Sequence, residues 1–214
     1  MSKFKEWTLA KLDKRFGLEQ VMENAKLETW LKTSGDISDF ERNFLLNLQQ
    51  TLLFNIDNWN EQEYALHFIG PIFTLVNFSH RKFNIFAERY LAGIVDGDEI
   101  SGNPDGMVAS GWREPEIPYF CLQEYKREKN PDGDPAGQCL AAMLVAQELN
   151  QNTCPVYGCY ILGRNWFFMI LERKHYAISN SYSATHDQMF DIFIILKTLK
   201  TMILEFVQAN PKIL

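Results

Sequence analysis

Apolar positions recur at helical spacing in the first third of the chain, at strand spacing in the middle, and at helical spacing again near the end. Phe40, Phe44, Leu45, Leu48, Leu52 and Ile56 follow a three-to-four spacing, which predicts a long amphipathic helix. Ser38-Asp-Phe-Glu41 starts it with a capping box, in which the Ser hydroxyl and the Glu carboxylate satisfy free amides of the first turn. Asp57-Asn58 ends it. Upstream, Phe4, Trp7, Leu12, Phe16, Val21, Trp30 and Leu31 are anchors scattered among charges, so one or two short helices are expected there, with a break near Ser34-Gly35. A second helix is expected from near Trp59 to Ile69. Gly70-Pro71 would kink or end it, since a proline ring clashes with the carbonyl four residues back. Leu75-Val76-Asn77-Phe78 continues in helical phase.

The aromatic and aliphatic run Phe83–Leu91 reads as a first strand, followed by a turn at Asp96-Gly97. Ile100–Ala109 is expected as the second strand and Ile117–Arg127 as the third. Lys129–Pro135 is a loop by composition, with Pro131-Asp132 as a turn inside it. Asp134 and Pro135 sit at the N-cap and first position of a helix over 135–150, whose apolar side carries Leu140, Ala141, Leu144 and Val145. Residues 155–162 and 166–171 form two strands joined by Gly163-Arg-Asn165, and His175–Ile178 is a further strand. The segment 187–208 is a helix that is apolar on more than one side. Helices, a strand group, a crossover helix, more strands and a last helix define an α/β fold, a central mixed β-sheet flanked by helices. One domain over 1–214 is expected, with an N-terminal helical extension (1–55), a core (56–171) and a C-terminal strand and helix (172–214).

Composition narrows the class. A hydrophobic share of 46%, with five Trp and sixteen Phe among 214 residues, suits one packed domain. No apolar run approaches the ~20 residues of a bilayer span. The start, Met1-Ser-Lys-Phe-Lys-Glu-Trp7, has no signal-peptide pattern. The four cysteines form no Cys-x-x-Cys pair, so a reduced cytoplasmic protein is expected. The net charge of −6 argues against a broad basic surface coating nucleic acid. Nucleic-acid contacts would then be local, with Lys126, Arg127 and Lys129 as one candidate patch and His80, Arg81 and Lys82 as another.

The candidate chemistry lies in two segments. Asp105, in Asn103-Pro104-Asp105-Gly106, falls at a turn-to-strand junction. Glu124 and Lys126 are two apart on a strand and so share a face, together with Phe120 and Leu122. An apolar strand face turning charged at its end is expected of a site. Two carboxylates and an ammonium at one point suit a divalent cation and a water nucleophile, hence a metal-dependent phosphodiesterase. His67, His80, His175 and His186 share no ligand spacing, and the donors are oxygens, so Mg²⁺ or Mn²⁺ is expected and zinc is not. Each piece also has a plainer reading. Asp105 can be a turn residue, Glu124 and Lys126 a weak ion pair. The two carboxylates alone would also suit a glycosidase, but that leaves Lys126 without a role.

Pro104-Asp105 followed by Glu124-Tyr125-Lys126 resembles the motif of the PD-(D/E)xK nuclease superfamily, the restriction-endonuclease-like fold. The expected order of helix, three strands, helix and strand over the core resembles that family's α-β-β-β-α-β frame. The resemblance implies Asp105 and Glu124 as metal ligands, with the Tyr125 carbonyl as a further oxygen. Lys126 would position the attacking water and stabilise developing charge. It implies a further acid from the first core helix, Glu63 ahead of Glu61. It also implies a supporting role for Gln138 on the crossover helix; Arg127, from the candidate basic patch, is a further candidate for substrate binding. The implied function is an endonuclease hydrolysing DNA. The alternative is a non-catalytic nucleic-acid- or protein-binding module on the same fold. The implied partner is nucleic acid, DNA before RNA; no membrane partner is expected, and a homodimer is left open.

Overall fold

A computed structural model describes residues 2–129 and 132–210. The expected turn at Pro131 lies outside the described residues.

The N-terminal segment folds as the strand β1 (Ser2–Lys3), the helix α1 (Leu9–Phe16), the strand β2 (Glu19–Gln20) and the helix α2 (Ala25–Leu31). It is woven into the body rather than appended to it. β1 adds in parallel to a small sheet, and β2 adds in parallel to the edge of the main one. The capping box forms as expected at the start of α3 (Asp39–Asn55): Glu41 N donates to Ser38 Oγ, and Glu41 Oε2 accepts from Ser38 N at 2.8 Å. Leu45, Leu48 and Leu52 are buried along it, but Phe40 points outward and is 70% exposed.

The second helix neither ends nor breaks at Gly70-Pro71. It runs as α4 (Glu61–Tyr64), a π turn (Ala65–Ile69) and α5 (Gly70–Val76). Pro71 cannot donate, and its ring would meet the carbonyl of the turn before it. The widened turn makes room, and Gly70 N bonds Ala65 O five residues back.

Seven strands of the main sheet run in the order β2-β10-β9-β8-β7-β6-β3, and β11 (Tyr182–Ser183) pairs with β9. Here β3 is Phe83–Ala87, β6 Gly106–Ser110, β7 Glu116–Lys126, β8 Val156–Leu162, β9 Asn165–Glu172 and β10 His175–Ile178. β7 and β8 are parallel, joined by the crossover helix α6 (Pro135–Leu149); β2 is parallel to β10, and the other neighbours in this order are antiparallel. The sheet is therefore mixed and flanked by helices. α6 starts as its sequence demands, with Asp134 Oδ1 accepting from Gly137 N at 3.0 Å. Asp134 Oδ2 also accepts from Leu9 N at 2.9 Å, which ties α1 to the start of the crossover.

The expected first and second strands are both shorter than the apolar pattern suggests. Glu88, in the left-handed region at φ 51°, reverses the chain after β3. The next two strands, β4 (Leu91–Val95) and β5 (Asp98–Gly102), pair through the Asp96-Gly97 turn and form the small sheet with β1. Asn103-Pro104-Asp105 then separates β5 from β6. Proline has no N–H for a ladder, which is why the expected continuous strand over 100–109 is divided.

Two cores sit on the two faces of the main sheet. One gathers α2–α5 and the last helix, α7 (Gln188–Ala209), around Tyr64, Phe73, Trp166 and Phe193. The other packs α1 and α6 against Leu122, Met169 and the small sheet. α6 is buried on nearly every side, and a side chain at Gly137 would meet the Thr8 backbone at 2.6 Å. A bulge in β7 opposes Val108 to Cys121 but Ala109 to Tyr119, so Phe120 is the extra residue. It joins the first core, while Leu122 joins the second. Phe120 therefore does not share the face of Glu124 and Lys126.

Candidate active site

The C-terminal end of β7 carries the candidate chemistry. Leu122 is buried beneath α6, and two and four residues on Glu124 and Lys126 are 6% and 8% exposed. Lys126 Nζ lies 2.8 Å from Glu124 Oε1. Asp105 stands at the start of β6, where Gly106 pairs with Gln123. Its Oδ2 accepts the Tyr125 amide hydrogen at 2.5 Å. The register of the β6–β7 hairpin thus delivers Asp105 to the same strand end as Glu124 and Lys126. Gly106 has to be glycine here, because a Cβ would sit 2.4 Å from Gln123 Oε1 and 2.7 Å from the Tyr125 hydroxyl. That hydroxyl donates to Gln123 Oε1, a buried pair behind the site.

Glu61, at the start of α4, is the helix acid that reaches this point, with Oε1 3.9 Å from Lys126 Nζ. Glu63 does not reach it. Glu63 is exposed and closes a capping box, its Oε2 accepting from Asn60 N at 2.9 Å and its own N donating to Asn60 Oδ1. The π turn accounts for part of the difference. Counting back from Phe73 in regular helical steps arrives near Glu63, but the wide turn takes up an extra residue and brings Ile69, Ala65 and Glu61 onto the inner face.

Gln138 is buried in the first turn of α6, with its amide nitrogen 2.6 Å from where a Gly133 Cβ would be. No hydrogen bond among the described residues joins it to Asp105, Glu124 or Lys126. Arg127 is exposed just past the end of β7. Lys129 pairs with Asp57 at 3.5 Å, and Lys126 is held among carboxylates, so the expected basic patch around 126–129 does not form as a surface.

Electrostatics distinguish this cluster from an ordinary ion pair. Burial and the neighbouring Asp105 charge push the Glu124 carboxyl up to about 7. Burial also raises Asp105, against the opposing pull of the Tyr125 amide and Lys126; Glu61 and Glu88 push it further up. For Lys126 burial alone would lower the ammonium, but Glu124, Asp105 and Glu61 outweigh it and the net shift is upward. One cation thus stands among more negative charge than it can offset.

Among the described residues, no three His, Cys, Asp or Glu side chains are gathered into a ready-made metal cage. The hard-oxygen donors Asp105 and Glu124 would need the Tyr125 carbonyl, Glu61 or water to complete a shell for Mg²⁺ or Mn²⁺. That is the usual condition of Mg²⁺, which keeps several waters. The donor chemistry and the excess negative charge both fit a divalent cation.

The strand end and the helix end are clamped by one turn that sequence reasoning left as an ordinary hairpin. Tyr64, three residues after Glu61 and fully buried, donates from its hydroxyl to Gly163 O at 2.6 Å. Gly163 N donates to Lys126 O at 2.9 Å. Arg164 N and Nε donate to the two carboxylate oxygens of Glu128 at 2.9 and 3.1 Å. Gly163 is in the left-handed region at φ 54°, and a Cβ there would lie 1.8 Å from Glu128 Oε2. The turn therefore fixes Glu61 and Lys126 relative to each other.

A cleft of about 720 Å³ opens from Asp105 and Glu61. α4–α5 forms one wall, and β3, the edge strand of the main sheet, forms the other. Ile69, Phe73, Phe78, Ile85 and Phe86 make its floor apolar. Glu124 and Lys126 do not line it; they connect to it through Asp105 and Glu61, which do. A scan against protein-family models finds no match, and a search of curated proteins finds no significantly similar sequence.

Proposed function

We propose that the protein is a divalent-metal-dependent phosphodiesterase, an endonuclease of the PD-(D/E)xK kind acting on DNA. The observation that carries this reading is the meeting of Asp105, Glu124 and Lys126 at one strand end, beside a cleft that Asp105 lines, with carboxylates in excess of the cation. The order α4–α5, β3, β6, β7, α6, β8 agrees with the α-β-β-β-α-β frame, with the β4–β5 hairpin inserted after its first strand.

In this reading Asp105, Glu124 and the Tyr125 carbonyl hold Mg²⁺ or Mn²⁺, with Glu61 beside them. The cation, when bound, polarises a phosphoryl oxygen and lowers the pKa of water. The Tyr125 amide fixes the orientation of Asp105. Lys126, kept charged by its carboxylate neighbours, donates hydrogen bonds to negative charge developing on the phosphoryl oxygens.

The test is cleavage of plasmid and oligonucleotide DNA with Mg²⁺ or Mn²⁺ by the wild-type protein, Asp105→Ala and Lys126→Ala. Cleavage by the wild type that both substitutions remove supports the reading; equal cleavage by the variants sinks it. A second reading, a binding module without chemistry, is favoured by the lack of a three-ligand cage among the described residues. Titration calorimetry with millimolar Mn²⁺ separates them, since a bare module takes up no heat.

A further inference from the structure

One end of the cleft is acidic, and the other adjoins a basic loop. At one end stand Asp105, Glu61 and Glu88; at the other, Asn77 and Ser79 lead into the exposed loop of His80, Arg81 and Lys82. From Glu61 to Asn77 is 16 residues of continuous helix, roughly 24 Å at ~1.5 Å per residue. Between Val76 and Ala87 the sequence holds no acid. Arg81 and Lys82 make no ion pair among the described residues, and both are exposed. The loop is also held in shape. Ser79 N donates to Asn77 Oδ1, Lys82 N donates to His80 Nδ1, and Gly111 N donates to Lys82 O. His80 stacks on Phe83 with ring centroids 5.0 Å apart. Two unpaired cations are therefore presented in a fixed place, on a chain whose net charge is −6.

We infer that this cleft is the track of a single nucleic-acid strand, which enters over Arg81 and Lys82 and runs along the apolar floor toward Asp105. This deepens the nuclease reading and rests on it for the acid end alone. A cleft of about 720 Å³ between one helix and one edge strand has room for a few nucleotides of one strand. A duplex places two backbones and stacked pairs where a single strand places one backbone and its bases, so the unpaired strand is the better match to that volume. An apolar floor with basic residues along the backbone's path is the usual means of holding unpaired bases, because every base has an apolar face to bury. The acid end repels phosphates until a cation is bound, so the basic loop supplies the attraction that orients the strand. The substrate class is a single strand, or the unpaired end of a duplex.

The test is fluorescence anisotropy in EDTA, where cleavage cannot interfere, with a labelled single-stranded oligonucleotide and the blunt duplex of the same sequence. The single strand binds the wild type more tightly than the duplex. The double variant Arg81→Ala/Lys82→Ala weakens that binding roughly tenfold at low salt. It also flattens the slope of log Kd against log salt by about 1.4, two contacts at ~0.7 each for single strands. Thr74→Trp, an exposed position on the cleft wall, removes the preference by filling the track, with melting temperature measured alongside to show that the variant is folded. Equal affinity for the duplex, no binding by the wild type, or an unchanged salt slope in the double variant each overturns the inference. Loop-dependent binding without any cleavage in Mg²⁺ or Mn²⁺ supports the strand track and refutes the nuclease reading alone.

Discussion

Substituting Glu124 by Gln tests the electrostatic account of the site most directly. In the folded protein the Glu124 carboxyl is pushed up to about 7 from an ordinary 4.5, by burial first and by Asp105 second. Between those two values the folded chain holds a proton that the unfolded chain has lost. A group with that shift stabilises the fold relative to its fully ionised form below pH 4.5. The advantage is lost as pH rises through 7, and nothing further changes above that. A difference of about 2.5 units at ~1.36 kcal/mol each gives about 3 kcal/mol. In EDTA, the wild type therefore loses up to about 3 kcal/mol between pH 4.5 and 8 from this group, with Asp105 adding in the same direction. Glu124→Gln keeps the shape, removes the charge, and gives up the 2.8 Å contact to Lys126, which retains Asp105 and Glu61 nearby. The expected outcome is a variant about 1–3 kcal/mol more stable than the wild type at pH 8 in EDTA, and no more stable at pH 4.5. Mn²⁺ at 100 times Kd offsets most or all of that difference, because binding to the folded state adds about 2.7 kcal/mol and only the wild type would keep the full donor set. Urea denaturation followed by tryptophan fluorescence, at both pH values with and without Mn²⁺, reads all four quantities. A variant that is less stable than the wild type at pH 8 in EDTA would refute the argument that the site carries excess negative charge.

Three further substitutions separate the roles of neighbouring residues. Glu61→Gln lowers Mn²⁺-dependent cleavage at least tenfold, while Glu63→Gln leaves the rate unchanged and costs about 0.5–1 kcal/mol through its cap; steady-state cleavage and urea melts compare them, and equal rates would remove Glu61 from the site. Tyr64→Phe strands the buried Gly163 carbonyl, so it costs about 1–3 kcal/mol and lowers kcat more than KM as Lys126 loosens; an unchanged kcat makes the clamp purely structural. Gly163→Ala forces a left-handed residue against Glu128 and should cost well over ~1 kcal/mol; a melting temperature within a degree of wild type would contradict the geometry of that turn.

The elements that spacing could reveal were those long enough to carry a period. The capping box of α3, the Asp134-Pro135 start of α6 and the 22-residue α7 fall close to where their residues put them. β1 and β2 carry two residues each and therefore no period, so their pairing with β5 and β10 had no sequence signal. The break at Pro104 did have a signal, since proline inside an apolar run argues against a continuous strand. Pro104-Asp105 and Glu124-Tyr125-Lys126 mark the positions that the hairpin register brings together. Glu61 rather than Glu63 reaches Lys126, and the π turn before Pro71, which takes up one extra residue, accounts for part of that change of face. A proline within an otherwise continuous helical pattern was the available warning. Gly163 was legible as a hairpin turn, but its bonds to Tyr64 and Lys126, and the Glu128 carboxylate beside it, were not, since they join groups far apart in sequence.

The same physics explains why the site lies where it does. β7 is paired on both sides along Cys121–Gln123, by β6 and β8, so its ladder is rigid up to Gln123. Beyond Gly106 the β6 partner gives way to Asp105, whose carboxylate takes over the Tyr125 amide that the strand would have bonded. A carboxylate thus replaces a backbone carbonyl as ladder acceptor at the place where β7 changes from apolar to charged. That substitution uses one oxygen of Asp105, a residue that lines the cleft with Glu61 and Glu88 for neighbours. A sheet that only had to be stable would end in a turn with its charges in water. Here two acids and a lysine are kept at a buried strand end by the sheet, the Gly163 turn and α4, and the cost falls on their protonation. The ligand that would relieve it is one that brings positive charge, which is the reason metal-dependent stability is a sharper probe of this protein than activity alone.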